Sequence, residues 1–141
     1  MAESLKIAYI FPGQGSQKVG TGRDLNDRYP AAGKVFNEAD AALGFPLSEL
    51  CFQGPEEELT KTVNVQPAIL VTSIACLRAA QEASHNSLPT PCFVAGHSLG
   101  EYTALVAANV LSLSHAAILV RERGRLMYEA GLKNPGSMLA I

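Results

Sequence analysis

Gly96-His97-Ser98-Leu99-Gly100 decides the fold of this chain, because its pattern G-x-S-x-G lies between a predicted strand and a predicted helix. The apolar residues 92–95 predict a short buried strand, and residues 101–108 predict a helix. A serine on such a tight turn exposes its hydroxyl at the helix N-terminus, and the flanking glycines add little bulk where backbone segments crowd together. We therefore predict that Ser98 is a nucleophile and that the N–H of Leu99 donates to an oxyanion.

The composition is that of one ordinary domain with a real core, since 48% of the 141 residues are hydrophobic. The net charge of −2 gives no indication of nucleic acid or of an anionic membrane surface as a partner. No apolar run reaches the length of a membrane span, and the first residues lack the pattern of a signal peptide. The widely spaced Cys51, Cys76 and Cys92 predict no zinc site and are typical of reduced thiols in the cytoplasm.

Short predicted strands alternate with predicted helices along the chain. The strands cover residues 6–11, 92–95 and 137–141, and the helices cover residues 30–43, 47–52, 55–59, 67–84 and 115–130. Gly44 and Gly131 are placed as helix stops, and Ser114 is placed as an N-cap. This alternation predicts an α/β fold with a parallel sheet covered by helices. Because the chain stops inside an apolar run, we expect an N-terminal piece of something longer.

The helix predicted from His115 carries one charge in an apolar face. That face contains Ala116, Leu119, Val120, Arg123, Leu126, Met127 and Ala130, whereas Arg121 and Arg125 lie on the opposite, solvated side. Burial of a guanidinium is costly without acceptors. Arg123 therefore either forms an internal ion pair with an acid such as Glu101, extends its charged end to solvent, or binds a substrate carboxylate.

A serine nucleophile needs a base, and none of the three histidines fits that role well. We expect His97 to pack or hydrogen-bond beside the serine turn, and His85 to be solvated. His115 follows the serine, as in α/β-hydrolases, but a whole helix separates the two residues. The base is therefore predicted to lie outside this sequence.

Four motifs in order give the chain a family resemblance: Phe11-Pro12-Gly13-Gln14-Gly15-Ser16-Gln17, Gln66-Pro67-Ala68, residues 96–102 (G-H-S-L-G-E-Y) and Arg123-Gly124. Together they resemble the malonyl-CoA:acyl-carrier-protein transacylases, the acyltransferase domains of fatty-acid and polyketide synthesis. The resemblance implies an α/β-hydrolase-like acyltransferase core, with its N-terminal part in residues 1–136. Residues 137–141 would then be the first strand of a small ferredoxin-like subdomain.

The resemblance also implies roles for individual residues. Ser98 would carry the acyl group, and the N–H groups of Gln14 and Leu99 would form the oxyanion hole. Arg123 would bind the malonyl carboxylate, and Gln66 and Met127 would line the acyl pocket; we count His97 with these substrate-binding residues. The implied partners are malonyl-CoA, as a coenzyme A thioester substrate, acyl carrier protein and the C-terminal half of the domain, with no permanently bound cofactor.

Three functions remain open from the residues alone. The leading one is malonyl transfer in the cytoplasm during fatty-acid biosynthesis. The second is an esterase-type serine hydrolase, in which water replaces the thiol. The third is an inactive fragment that lacks the catalytic histidine. Nucleotide binding by the loop at residues 11–16 is disfavoured, because that loop has neither G-x-G-x-x-G nor the Walker spacing.

Overall fold

The computed structural model describes residues 6–134 and 136. Its elements, in chain order, are β1 (Ala8–Phe11), α1 (Arg23–Arg28), α2 (Pro30–Leu43), α3 (Leu47–Gln53), α4 (Glu56–Thr60), α5 (Thr62–Ala83), β2 (Phe93–Gly96), α6 (Gly100–Ala107) and α7 (Leu113–Lys133). The α/β prediction is confirmed. The predicted strand at 137–141, and with it the opening of a ferredoxin-like subdomain, lies outside the described residues.

The two strands form a parallel pair, in which Ala8 is opposite Phe93 and Phe11 is opposite Gly96. The connection between them runs through α1 to α5, as parallel pairing requires a crossover. The strand predicted before Ser98 and the helix predicted after it are both present, as β2 and α6. The register places the end of β1, where the loop with Gln14 begins, beside the end of β2, where Ser98 follows.

The core lies among the helices. α5 packs against α2 and α7, and α6 packs against both strands. The largest fully buried side chains include Phe36, Leu47, Leu70, Ile74 and Val120. α5 is the central element, as its predicted burial required, because it is buried almost continuously from Val65 to Val71.

One composition-based expectation needs correction. α5, over its 22 residues, is long and apolar enough to cross a membrane, with a mean hydropathy of 1.4 in its most apolar window, although no such run was expected. The core explains this composition, because 56% of that window is buried against other parts of the protein.

The strands are less buried than predicted. Ala8 and Ile10 of β1 share one sheet face with Phe93 and Ala95 of β2, and all four are exposed, Ile10 by 77% and Phe93 by 70%. The other face, which includes the buried Phe11, lies against helices. Within the described residues, the sheet is therefore covered on one face, although parallel sheets are normally covered on both.

The ends of two helices differ from the prediction. α5 begins at Thr62, five residues before the predicted start, so that Pro67 lies inside the helix. α7 begins at Leu113, and Ser112 rather than Ser114 caps it, since the Ser112 Oγ accepts from the His115 N–H at 3.2 Å. α7 also continues past Gly131 to Lys133. The six-residue helix α1 was not predicted.

The predicted apolar face of α7 is only partly buried. The buried residues of the whole helix are Leu113, Ala116, Ala117, Val120 and Gly124. Leu119, Leu126 and Met127 are 46%, 53% and 39% exposed. The reason is that α7 buries only the narrow stripe that faces α2 and α5, whereas the predicted face was wider.

Candidate active site

The serine turn has a strained backbone and an exposed serine side chain. Ser98 has a φ of 56°, in the left-handed region that non-glycine residues rarely adopt, and its side chain is exposed. A Cβ on Gly96 would lie 1.9 Å from the carbonyl carbon of Gly100, and a Cβ on Gly100 would lie 2.5 Å from the Phe11 oxygen. Both glycines are therefore required for β1, β2 and α6 to meet at this point.

Arg123 reaches across from α7 to the serine. Its Nη2 donates to the Ser98 Oγ at 2.9 Å, and its Nη1 donates to the Gln66 Oε1 at 2.6 Å. Among residues 6–134, no carboxylate lies within ion-pair distance of this guanidinium. The alternative in which Arg123 pairs with Glu101 is therefore wrong. The half-buried cation lies beside the serine with its charge unneutralised by the described part of the chain.

Gln66 is the buried support of Arg123. It is fully buried, and its Nε2 donates to the Thr62 Oγ1 at 3.2 Å and to the Met127 Sδ at 3.3 Å. Its Oε1 is thereby left to face Arg123. The amide is satisfied on both ends, as a buried polar group must be.

The loop after β1 joins the same network through Gln14, whose Nε2 donates to the Thr62 Oγ1 at 3.3 Å. The backbone N–H groups of Gln14 and Leu99 have no acceptor within residues 6–134. Leu99 itself is fully buried as the N-cap residue of α6, so its N–H is held at a helix N-terminus. An N–H group at a helix N-terminus without an intrahelical acceptor is of the kind that binds anions.

His97 ties the loop to the serine turn. Its backbone N–H donates to the Phe11 oxygen at 3.1 Å, and its ring lies so close to the loop that a Cβ on Gly13 would be 2.7 Å from the Nδ1. The side chain therefore packs beside the turn, as expected. Within the described residues, no histidine hydrogen-bonds to the Ser98 Oγ, and His115 lies in the first turn of α7, capped by Ser112.

Comparisons with known proteins match this geometry. The model of the acyl transferase domain family matches residues 8–141. The chain belongs to this family. It is 53% identical over 136 residues to the malonyl CoA-acyl carrier protein transacylase of Bacillus subtilis strain 168, covering 96% of this chain and 42% of the relative. It is 47% identical to the protein of the same name from Escherichia coli K12, covering 96% of this chain and 43% of the relative.

Solved structures show the same likeness. An acyl carrier protein S-malonyltransferase from Vibrio cholerae superposes with a TM-score of 0.83 at 45% identity, covering 89% of this chain and 40% of that one. A malonyl-transacylase solved in complex with a type II polyketide acyl-carrier protein gives 0.82 at 48% identity, with the same coverage. The chain thus spans about 42% of the length of the curated relatives.

The acyl transferase chain gathers most of the residues named from sequence into one place. Ser98, Arg123, Gln66 and Met127 are linked by hydrogen bonds, and Gln14 joins them through Thr62. Sequence reasoning missed Thr62, which joins two of them. The spacing of Thr62 and Gln66 could have indicated this contact, because residues at positions i and i+4 lie on the same face of a helix. It was overlooked because the helix was predicted to start at Pro67.

The electrostatics around the site favour an anionic group. Glu122, beside Arg123 in the sequence, turns away and pairs with Arg125 at 2.5 Å, which lowers the pKa of the Glu122 carboxyl. Arg125 also pairs with Glu129. The His, Cys, Asp and Glu side chains of the described residues form no group that could hold a metal ion.

Proposed function

We propose that the protein transfers a malonyl group from malonyl-CoA to the phosphopantetheine thiol of acyl carrier protein, through an acyl-serine at Ser98, in cytoplasmic fatty-acid biosynthesis. The single observation that carries this proposal is the guanidinium of Arg123 at hydrogen-bond distance from the Ser98 Oγ. The names of the relatives support the same substrates. No observation favours the esterase alternative, because an ester without a carboxylate would form no ion pair with the Arg123 guanidinium.

The position of Arg123 suits malonyl rather than acetyl. In a malonyl thioester, one carbon separates the carboxylate from the carbonyl that the serine attacks. A cation beside the nucleophile can therefore bind the carboxylate bidentately while the carbonyl lies against the Ser98 Oγ. Gln66 accepts a hydrogen bond from the guanidinium and so holds it in place, and Met127 provides an apolar surface beside it.

The transfer proceeds in two acyl exchanges. The Ser98 Oγ attacks the thioester carbonyl, a base takes the hydroxyl proton, and the N–H groups of Leu99 and Gln14 bind the oxyanion. The C–S bond then breaks, and coenzyme A leaves as the thiol with that proton. The thiol of acyl carrier protein attacks the ester in the reverse sense and restores Ser98.

One part of this scheme, the base, is expected to come from outside residues 6–134. The base is expected to be a histidine elsewhere in the full-length protein, since no described histidine contacts Ser98. The relatives are more than twice as long as the matched region. The coenzyme A thioester is a substrate in this scheme, and no permanently bound cofactor is required.

Replacement of Arg123 by alanine tests the substrate assignment. In the full-length protein, Arg123→Ala should lower kcat/KM for malonyl-CoA by a factor that corresponds to about 2–5 kcal/mol, because a buried carboxylate loses its charged partner. Use of acetyl-CoA should rise relative to malonyl-CoA. Steady-state rates with both thioesters and acyl carrier protein measure the ratio.

Arg125→Ala is the matched control, since Arg125 lies on the same helix but pairs with Glu122 and Glu129 at the surface. Its malonyl-to-acetyl ratio should equal that of the unmodified protein. An unchanged ratio in folded Arg123→Ala would make Arg123 a structural residue and remove the basis of the proposal.

A further inference from the structure

The hydroxyl of Thr62 is the point at which two glutamines of the site meet. It accepts from the Gln14 Nε2 at 3.3 Å and from the Gln66 Nε2 at 3.2 Å. A hydroxyl oxygen has two lone pairs, so these two donors occupy both. One donor comes from the loop after β1 and the other from the second turn of α5.

The backbone of Thr62 is in close contact with α7. A Cβ on Gly124 would lie 2.4 Å from the Thr62 oxygen and 2.8 Å from the Val63 Cα. Only a glycine therefore lets α7 lie this close to the start of α5. Because Gly124 follows Arg123 in the sequence, α7 contacts the backbone of Thr62 next to the residue that carries the guanidinium.

The hydroxyl supports the one orientation of the Gln66 amide that suits Arg123. With Nε2 toward Thr62 and Met127, the Oε1 is directed to the Arg123 Nη1 at 2.6 Å. The reversed amide would turn two N–H donors toward a guanidinium that has only donors of its own. Gln66 is fully buried, so water cannot replace a lost partner cheaply.

We propose that Thr62 is a positioning residue for acyl transfer. Its hydroxyl fixes the Gln66 amide so that Oε1 orients Arg123 beside Ser98, and it ties the loop of Gln14 to the same atom. The Thr62 hydroxyl is bonded to the two glutamines and not to Ser98, so it acts through the glutamines. The proposal rests on the proposed malonyl transfer.

Thr62→Val, which keeps the shape and removes the hydroxyl, is the direct test in the full-length protein. It should lower kcat/KM for malonyl-CoA about tenfold, and it should lower the malonyl-to-acetyl ratio, since acetyl does not depend on Arg123. Thr62→Ala, which cannot clash, is measured in parallel and should lower the ratio as well. Thr62→Ser should restore most of both quantities.

Thr60→Val is the matched control, because the Thr60 hydroxyl donates only to the Glu57 carbonyl at the surface. It should leave the rates and the ratio unchanged. In a Gln66→Leu background, Thr62→Val should produce little further loss of the ratio, because Gln66 is the glutamine that contacts Arg123, and its amide is then absent. A merely structural threonine would instead lower the melting temperature without changing the ratio.

The outcomes separate the two proposals. An unmodified protein that transfers malonyl, together with hydroxyl-free Thr62 variants that keep the ratio, would overturn the positioning role alone. Additive losses in Thr62→Val and Gln66→Leu would overturn it too. An unmodified protein that forms no acyl-enzyme from malonyl-CoA would overturn the proposed function and the positioning role with it.

Discussion

Gln66 is the buried residue that holds Arg123 beside Ser98. Its amide is hydrogen-bonded to three neighbours, since it accepts from Arg123 and donates to Thr62 and Met127. Charge-assisted bonds such as the one from Arg123 are about twice as strong as neutral ones. The guanidinium is therefore held in one orientation, which would lower the entropic cost of binding the carboxylate of the proposed substrate.

Cys51 is a buried residue of the opposite kind, with chemistry that the fold suppresses. Burial, followed by the nearby charge of Asp40, raises the pKa of its thiol to about 12, from an ordinary value of 9.0. Only the thiolate is nucleophilic. Cys51 in the folded protein should therefore stay protonated and unreactive under conditions in which an exposed thiol is alkylated.

The raised pKa predicts how stability depends on pH. The folded thiol keeps its proton up to about pH 12, whereas the unfolded thiol loses it above about pH 9. The Cys51 contribution is thus complete below pH 9 and should fall by about 1.4 kcal/mol per pH unit above it. Urea unfolding at pH 8 and pH 10 measures this fall.

Cys51→Ala, measured at the same two pH values, provides the control. Its free energy of unfolding should decline less between pH 8 and pH 10 than that of the unmodified protein, since other titrating groups are shared. Equal declines in the two proteins would show that Cys51 titrates normally.

At the scale of elements, the contact between α5 and α7 positions the site. Gly124→Ala would place a methyl group 2.4 Å from the Thr62 oxygen and push the helices apart. We expect a loss of about 1–3 kcal/mol in the free energy of unfolding, as for other overpacked cores, together with slower malonyl transfer. Denaturant unfolding and transfer rates measure the two effects.

Gly131→Ala is the control on the same helix, because a Cβ there meets nothing within 4 Å. It should stabilise the protein by about 0.5–1 kcal/mol, since alanine favours a helix more than glycine does. If the two substitutions changed stability by the same amount and in the same direction, close packing at Gly124 would not be the cause.

The sequence predicted those elements whose signals are local. The strand, turn and helix around Ser98 depend on short-range pattern, and so does the stop of α2 at Gly44. The start of α5 does not depend on such a short-range pattern. Residues 62–65 include β-branched side chains with modest helix propensity, and their helix is stabilised by burial and by the contact with Gly124.

The individual site residues were recognised from motifs, but their connections were not. The meeting of Gln14, Thr62, Gln66 and Arg123 depends on how close α7 approaches α5, which a glycine in the sequence permits but does not specify. The width of the buried face of α7 likewise depends on its neighbours. For that reason Leu119, Leu126 and Met127 were expected to be buried and are exposed.

At the scale of the whole molecule, the described residues form a helical core with a two-stranded sheet at its side. The exposed sheet face carries Ile10 and Phe93, and the site opens at the carboxyl ends of both strands. Ligands of open parallel sheets bind at that end. The described residues therefore bring the proposed nucleophile Ser98, the cation of Arg123 and the N–H groups of Gln14 and Leu99 to one end of the sheet.

Covalent capture of the acyl group tests the central claim most directly. The full-length protein is incubated with labelled malonyl-CoA, without acyl carrier protein, and then digested and analysed by mass spectrometry. The account predicts a malonyl ester on Ser98, its loss in Ser98→Ala, and its transfer to acyl carrier protein when that protein is added. Undiminished labelling in folded Ser98→Ala would contradict the account.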